Sequence, residues 1–343
     1  MSKAHMLLKL SVDKDLRTVD KIKIEKGRIS YFFTKVKENL SELFKVELLL
    51  LVFALPLIAV LGFYILYKKP EALSDFTFAN FMGIGYTDAV NTEAEGIAAI
   101  YSVFREMLLW MVPAFTIFGF GAAGAFYCSR GYMWSEPVVV RKAFFRGIKK
   151  LWKYYVPIFA VIGALVTGLG TAILTGLEDV ILGTAGFWSY FMLIGGIVIG
   201  VIGIMYLIML LPMFACYKFK LGEYLKNAVL LNMLMLPPTL ILAAVTVAPF
   251  VLFRNGFAAN IFYVVFAIIG IVFIIMMWTA YAQNVYEVMI EGMYQARIES
   301  EKKKKAEAKA EKSEKLGGQQ AKKPQQKQQF VNPKKKKNSG NKK

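Results

Sequence analysis

Histidine occurs once in the 343 residues, at His5, and cysteine twice, at Cys128 and Cys216. One histidine cannot build a histidine-rich metal centre. Two widely separated cysteines, with no Cys-x-x-Cys pair, exclude a dense disulfide framework. Each closes a hydrophobic run at the expected inner end of a helix, so both are expected as free thiols. No Gly-x-x-x-x-Gly-Lys-Ser/Thr loop is present to cradle a nucleotide phosphate. No His-x-x-x-His pair occurs either. The sequence therefore offers no cofactor site, no metal site and no catalytic constellation, and the expected protein is not an enzyme.

Charge is the next thing missing, and its absence is local. Six runs hold no Asp, Glu, Lys or Arg: Leu48–Tyr67, Met107–Ser129, Tyr154–Leu177, Val180–Tyr217, Asn227–Phe253 and Asn255–Tyr286. A helix that crosses the hydrocarbon core needs about 20 mainly apolar residues, and each run can hold one. Helices of a soluble bundle keep a polar stripe, which these runs lack. The expected fold is all-α: a polytopic membrane protein with six transmembrane helices, both termini on the inner side, and amphipathic inner helices. Ionisable groups are absent from the span cores, which lowers a coupled-pump reading. The neutral polar candidates are Thr116, Thr167, Asn232, Thr239, Thr246, Thr279 and Asn284. Each is more readily an interhelical hydrogen-bonding residue than a ligand contact.

What charge there is sorts by side. The formal net charge is +18. Residues 298–343 carry 16 basic and 5 acidic groups, so more than half of the excess lies in one terminal tail. Residues 1–47 hold 11 basic and 7 acidic groups, residues 67–106 hold 3 and 6, and residues 129–153 hold 7 and 1. Lys and Arg collect in the cytoplasmic loops of membrane proteins. With six spans every strongly basic segment falls on one side, which places both termini in the cytoplasm. Five or seven spans would put the tail opposite the basic loops. A cleavable signal is not expected, because 47 residues precede the first apolar core.

Three regions follow. Residues 1–29 form an N-terminal cytoplasmic arm. Its loose alternation around Leu7–Val12 and Ile22–Ile29 fits a short hairpin or a disordered arm equally. Residues 30–297 form the membrane domain, and 298–343 a Lys-rich tail too poor in apolar residues to fold. Within the domain, Phe32, Phe33, Val36, Leu40, Leu43 and Phe44 recur at helical spacing and predict an approach helix on the inner leaflet. The segment after span one gathers Phe76, Phe78, Phe81, Met82 and Tyr86, an aromatic belt or, less simply, a lid. Gly196, Gly200 and Gly203 predict a packing ridge on span four. Pro56 can kink span one, Pro212 is expected to break or bend span four, and Pro237-Pro238 falls near the start of span five.

The clearest inner helix is Val138–Tyr155. Val140, Phe144, Ile148, Leu151 and Tyr155 line one side, with Phe145 and Trp152 on its flank. Arg141, Lys142, Arg146, Lys149, Lys150 and Lys153 supply the rest, a pattern that predicts an interfacial helix. Two readings stand: a topology-setting loop packed under the bundle, or a surface for anionic lipid or a protein partner. Each basic residue at a membrane surface contributes about 1 kcal/mol of attraction to anionic lipid. Nucleic-acid binding by the tail is the weakest of the partner readings.

Three stretches carry a family resemblance. Residues 39–60, NLSELFKVELLLLVFALPLIAV, have an amphipathic lead and then Leu55-Pro56 inside an apolar helix. Residues 130–157 place Arg141 before Phe144-Phe145, followed by Arg146, Lys149 and Lys150. Residues 206–242 contain Pro212, Leu225, Lys226, Asn227, Ala228 and Pro238. In this order and spacing the chain resembles the YesL-like family of bacterial membrane proteins, which carries a domain of unknown function. It departs at Glu47, where the family usually has Asn, and at Ala143, where it usually has an acid. The resemblance marks Pro56, Phe144, Phe145, Pro212, Asn227 and Pro238 as structural positions. It implies a multi-pass protein of the bacterial plasma membrane, with a transport or regulatory partner connected to carbohydrate uptake or use. It transfers no catalytic residue. The function expected is that of an accessory or regulatory membrane protein. A permease for a neutral or weakly polar solute is the alternative, motivated by Pro56, Pro237 and Pro238.

Overall fold

A computed structural model describes residues 28–64, 93–252, 261–263, 265–287 and 289. The arm hairpin, the aromatic segment around Phe76–Tyr86 and the Lys-rich tail lie outside those residues. All described residues lie in helices or in the short connections between them, with no strand among them. The elements are α1 (Arg28–Glu38), α2 (Leu40–Phe63), α3 (Glu93–Met133), α4 (Val140–Ile181), α5 (Phe187–Cys216), α6 (Leu221–Leu234), α7 (Leu236–Leu252), a π-helical turn (Phe266–Gly270) and α8 (Ile271–Tyr286).

Five of these are long and apolar enough to cross a membrane: α2, Ile100–Met133 within α3, α4, α5, and Ile261–Tyr286. The pair α6–α7 is the sixth candidate, but it bends by 98° at its break. The chain is thus an all-α polytopic membrane protein whose fifth span departs from a simple rod.

The approach helix is present as α1 and the first turns of α2, separated by a bend at Asn39. Both the backbone N–H and the side-chain amide of Asn39 donate to the Lys35 carbonyl, at 3.2 and 2.9 Å, closing the end of α1. Leu43 and Val46 are buried, whereas Ile29, Phe33, Leu40 and Phe44 face outward. Pro56 sits inside α2 without ending it.

The bundle is organised around the α3–α4 hairpin. Glycines set its spacing. A Cβ on Gly119 would lie 3.1 Å from the Val156 Cα, and one on Gly163 would lie 2.9 Å from the Val112 Cα. Backbone therefore approaches backbone, the geometry that small residues permit in lipid. Gly124 gives room to the Phe144 ring, and Gly147 seats against Tyr127. The connection between the helices closes compactly. The N–H of Ser135 donates to the Tyr132 carbonyl at 3.1 Å, and that of Glu136 to the Gly131 carbonyl at 2.9 Å. This crossed pair is a Schellman closure, and its left-handed position is held by Ser135 at φ 53 instead of by glycine.

Several expectations are corrected. Arg28 and Ile29, at the end of the loosely alternating stretch, are already helical. The ridge on α5 is limited to Gly196, which meets Ile173; Gly200 and Gly203 have nothing within 4 Å of where a Cβ would be. Small residues allow close packing but do not supply the partner. Pro212 does not break α5, which continues to Cys216. Pro237-Pro238 does not interrupt a helix: both residues belong to the first turn of α7, the second half of the bent pair, where a missing N–H costs no intrahelical bond. The bend falls just ahead of them, at Met235.

Candidate functional site at the basic end

One end of the bundle gathers α1, the end of α3, the start of α4, the end of α5, α6 and the end of α8. It also gathers most of the cations of the membrane domain. The basic helix foreseen at 138–155 is the beginning of α4, not a separate helix. At 42 residues, α4 has a contour of about 63 Å, about twice the hydrocarbon core. Its first 14 residues, Val140 to Lys153, account for about 21 Å of that length. The apolar stripe does not rest on lipid as an isolated interfacial helix would. Val140, Phe144, Gly147, Leu151 and Tyr155 are buried inside the protein. Helical periodicity identified the face to be covered, but it could not say whether lipid or protein would cover it.

The opposite face stays open. Arg141, Lys142, Arg146, Lys149, Lys150 and Lys153 are all exposed, so the structure places the six proposed cations on one helical arm. Phe145 and Trp152, seven residues apart on that helix, are 51% and 42% exposed. Phe144 and Phe145 thus part company: Phe144 packs under Gly124 and beside Phe53, whereas Phe145 joins the cationic face. Lys150 also lies 5.7 Å from the centroid of the Tyr127 ring.

Beneath this surface, side chains bind the carbonyls of α5 around Pro212. Pro212 lacks an N–H, so the carbonyl of Ile208 one turn earlier has no helical donor from it. The Tyr155 hydroxyl of α4 donates to the Leu211 carbonyl at 2.6 Å. The Tyr286 hydroxyl of α8 donates to the Met209 carbonyl. Arg130 of α3 donates to the Ala215 carbonyl at 3.0 Å, in the last turn of α5. The Tyr224 hydroxyl of α6 donates to the Tyr217 carbonyl at 2.5 Å. Four elements therefore grip one helix end. Arg130 also lies 4.9 Å from the Tyr127 ring centroid and 4.7 Å from that of Trp134, and pairs with Glu136 at 3.4 Å. The Tyr31 hydroxyl ties α1 to the Met133 carbonyl at 2.9 Å.

Asn227, one of the resemblance positions, is buried on α6, and its amide nitrogen has no protein partner among the described residues. The Asn232 amide oxygen is likewise buried without one. Pro56 is half-buried in α2, and Pro238 is exposed at the start of α7. Pro212 lies in the densely packed end of α5. The resemblance positions are therefore dispersed over the fold; they do not converge on a pocket.

The neutral polar residues mostly bond helices. Thr167 reaches across to the Leu108 carbonyl at 2.5 Å. Thr239 meets the Tyr281 hydroxyl at 2.9 Å, and the Trp278 ring N–H donates to Thr246 at 3.0 Å. Thr116 and Thr279 bond back to carbonyls of their own helices, at 2.8 and 2.7 Å. Cys128 and Cys216 are both buried, and neither is in a disulfide.

Sequence reasoning missed two groups. Glu47, at the start of the apolar part of α2, is fully buried. Its carboxylate accepts the Val272 N–H at 2.7 Å and the Ile271 N–H at 3.2 Å. The signal was the acid standing where the resembled family has Asn. The second is the Arg105–Glu178 ion pair, which joins α3 to α4 at the far end of the bundle. Nothing in the spacing of two residues 73 positions apart announces that contact.

No known family model matches the chain, and neither a curated protein nor a solved structure does. The class is set by the fold alone: a polytopic, all-helical membrane protein with a cationic helical arm.

Proposed function

We propose that this chain is a non-enzymatic accessory or regulatory membrane protein that holds a partner at its cytoplasmic side. The observation that carries this reading is the split face of α4. Its apolar side is sealed by α2, α3 and α5, while six cations with Phe145 and Trp152 stay open beside it. A segment needed only to set topology has no requirement for exposed aromatics among its cations. A surface that docks an acidic protein segment gains from both, because aromatic anchors supply area and cations supply steering. Lys149, Lys150 and Lys153, nearest the membrane, also suit anionic headgroups.

The orientation belongs to the same proposal. The basic end is cytoplasmic by the positive-inside rule, with both termini there and the protein in a bacterial plasma membrane. The connection with carbohydrate uptake or use rests on the resemblance of residues 39–60, 130–157 and 206–242. Cysteines introduced at positions 90, 148 and 320 test the orientation. Position 90 is labelled from outside, and 148 and 320 are protected; external labelling of 320 overturns it.

The docking test replaces Arg146, Lys149 and Lys150 together with Gln. Partners are captured by crosslinking in mild detergent, and vesicles with and without anionic lipid are assayed in parallel. Loss of crosslinked partner, with strong salt dependence in the parent protein, supports docking. Loss of vesicle binding alone assigns the face to lipid. Unchanged association in both assays rejects the surface.

A second reading is a permease for a neutral or weakly polar solute. One observation favours it: the 98° break between α6 and α7, next to the Thr239–Tyr281 and Thr246–Trp278 bonds. Broken helices in transporters frame solute sites. Saturable uptake by the purified protein in liposomes would establish this reading over docking.

A further inference from the structure

We propose that Glu47 is a latch that sets the rotational phase of the last span. The span is wound in two ways. Phe266–Gly270 is π-helical, and Ile271–Tyr286 is α-helical. The Phe266 ring folds over Gly270, filling the place where a Cβ would be. At the changeover, two successive N–H groups, those of Ile271 and Val272, turn to the two oxygens of Glu47 on α2, at 3.2 and 2.7 Å. No Lys or Arg pairs with Glu47 among the described residues. A buried acid is costly unless hydrogen-bonded, and here the helix backbone supplies the bonds.

A π turn holds one more residue per turn than an α turn. If it relaxed to α winding, everything beyond it would rotate by about 100° and shift by about 1.5 Å. The residues beyond it are the ones that tie α8 to its neighbours: Trp278 to Thr246, Tyr281 to Thr239, and Tyr286 to the Met209 carbonyl beside Pro212. All three bonds need one phase of α8. By gripping Ile271 and Val272, Glu47 holds that phase from the first span. It thereby links α2 to the bent α6–α7 pair and to the end of α5. Glu47 is a positioning residue: it acts on those contacts through α8 and touches none of them. A helix with a π turn poised against a single side chain is also a natural point for the bundle to switch between two registers.

The test uses the full-length protein in detergent micelles or nanodiscs. Glu47→Gln keeps the side-chain volume and one acceptor; Glu47→Leu removes both acceptors. Amide hydrogen exchange at residues 266–272 should speed up at least tenfold in the Leu variant and by less in the Gln variant. The fluorine resonance of Trp278, in protein labelled with fluorotryptophan and assigned with Trp278→Phe, should move or split. The resonances of Trp110 and Trp188, away from α8, should hold. Unchanged exchange at Ile271 and Val272 in both folded variants overturns the latch. So does faster exchange spread evenly over all helices, which would mean loss of packing only. A wild-type measurement covers the case in which both variants fail to fold. The amide protons of Ile271 and Val272 should resonate downfield of their helical neighbours, as donors to a carboxylate; ordinary helical shifts there would overturn the proposal.

Discussion

The two ends of the bundle are held by different means. At the basic end, residues 208–217, the last turns of α5 and the residue after it, are continuously buried, and bonds from α3, α4, α6 and α8 converge on their carbonyls. At the far end, α5 exposes Phe187, Trp188, Phe191, Ile194, Ile197, Val198 and Ile202. There it is tied chiefly by the Ser189–Asp179 hydrogen bond, at 2.6 Å, and by the seating of Gly176 and Gly196 against their neighbours. α7 is barer still, with only Thr239 and Ala243 buried. In lipid, apolar character alone does not drive helices together, because the surrounding tails are equally apolar. Close packing at small residues and polar bonds decide where the bundle is tight. The comparison therefore predicts which changes the protein resists and which it ignores.

The largest effect is expected at the α3–α4 crossing. Gly163→Val would drive side-chain atoms into the Val112 backbone and should destabilise by about 3 kcal/mol or more. Gly200→Ala, where a Cβ meets open space, should change stability by less than about 0.5 kcal/mol. Thermal unfolding of both variants in the same detergent compares them directly. Equal losses at the two glycines would erase the distinction between crossing and lipid face.

Next comes the Arg105–Glu178 ion pair, which joins α3 to α4 at the far end. Glu178→Gln should cost about 1–2 kcal/mol, between the values for exposed and buried pairs, because Arg105 remains about a third exposed. The double variant with Arg105→Gln should recover part of that loss. A double-mutant cycle on thermal stability measures the coupling, and a coupling near zero would leave the far end held by packing and the Ser189–Asp179 hydrogen bond.

Tyr286→Phe and Tyr155→Phe test the basic end with one atom removed. Each should cost about 1 kcal/mol, the ordinary net worth of a hydrogen bond. Their combination should depart from additivity, because both grip α5 within three residues of Pro212. Strict additivity in unfolding would mean that the grip is a set of independent bonds.

The smallest effect has the opposite sign. Ser135→Gly places the residue suited to positive φ at the left-handed position of the Schellman closure and should stabilise by about 0.5–1 kcal/mol. A rise in melting temperature checks it; a fall would show that the Ser135 side chain is needed at the α3–α4 turn.

The class of fold was legible in the residues because lipid imposes length and polarity on every span. Six uncharged runs of sufficient length led to an all-α membrane protein, and α2, α3, α4, α5 and the last helix lie where the runs placed them. The cations of Arg141–Lys153 were legible as one face, since helical periodicity needs only the local sequence. The role of Gly163 could be stated in kind but not in place: glycine permits approach, and Gly200 looks the same on paper while meeting nothing. Tertiary structure alone made α4 a single 42-residue helix, because protein, not lipid, covers Phe144 and Leu151. It alone moved the break of the fifth span to Met235, ahead of the prolines, and set Ala243 of α7 against Met205 and Ile208 of α5. It alone brought Glu47 to Ile271 and Val272, across more than 220 positions of chain. Local sequence fixes which groups need partners; only the packed bundle decides which distant groups become those partners.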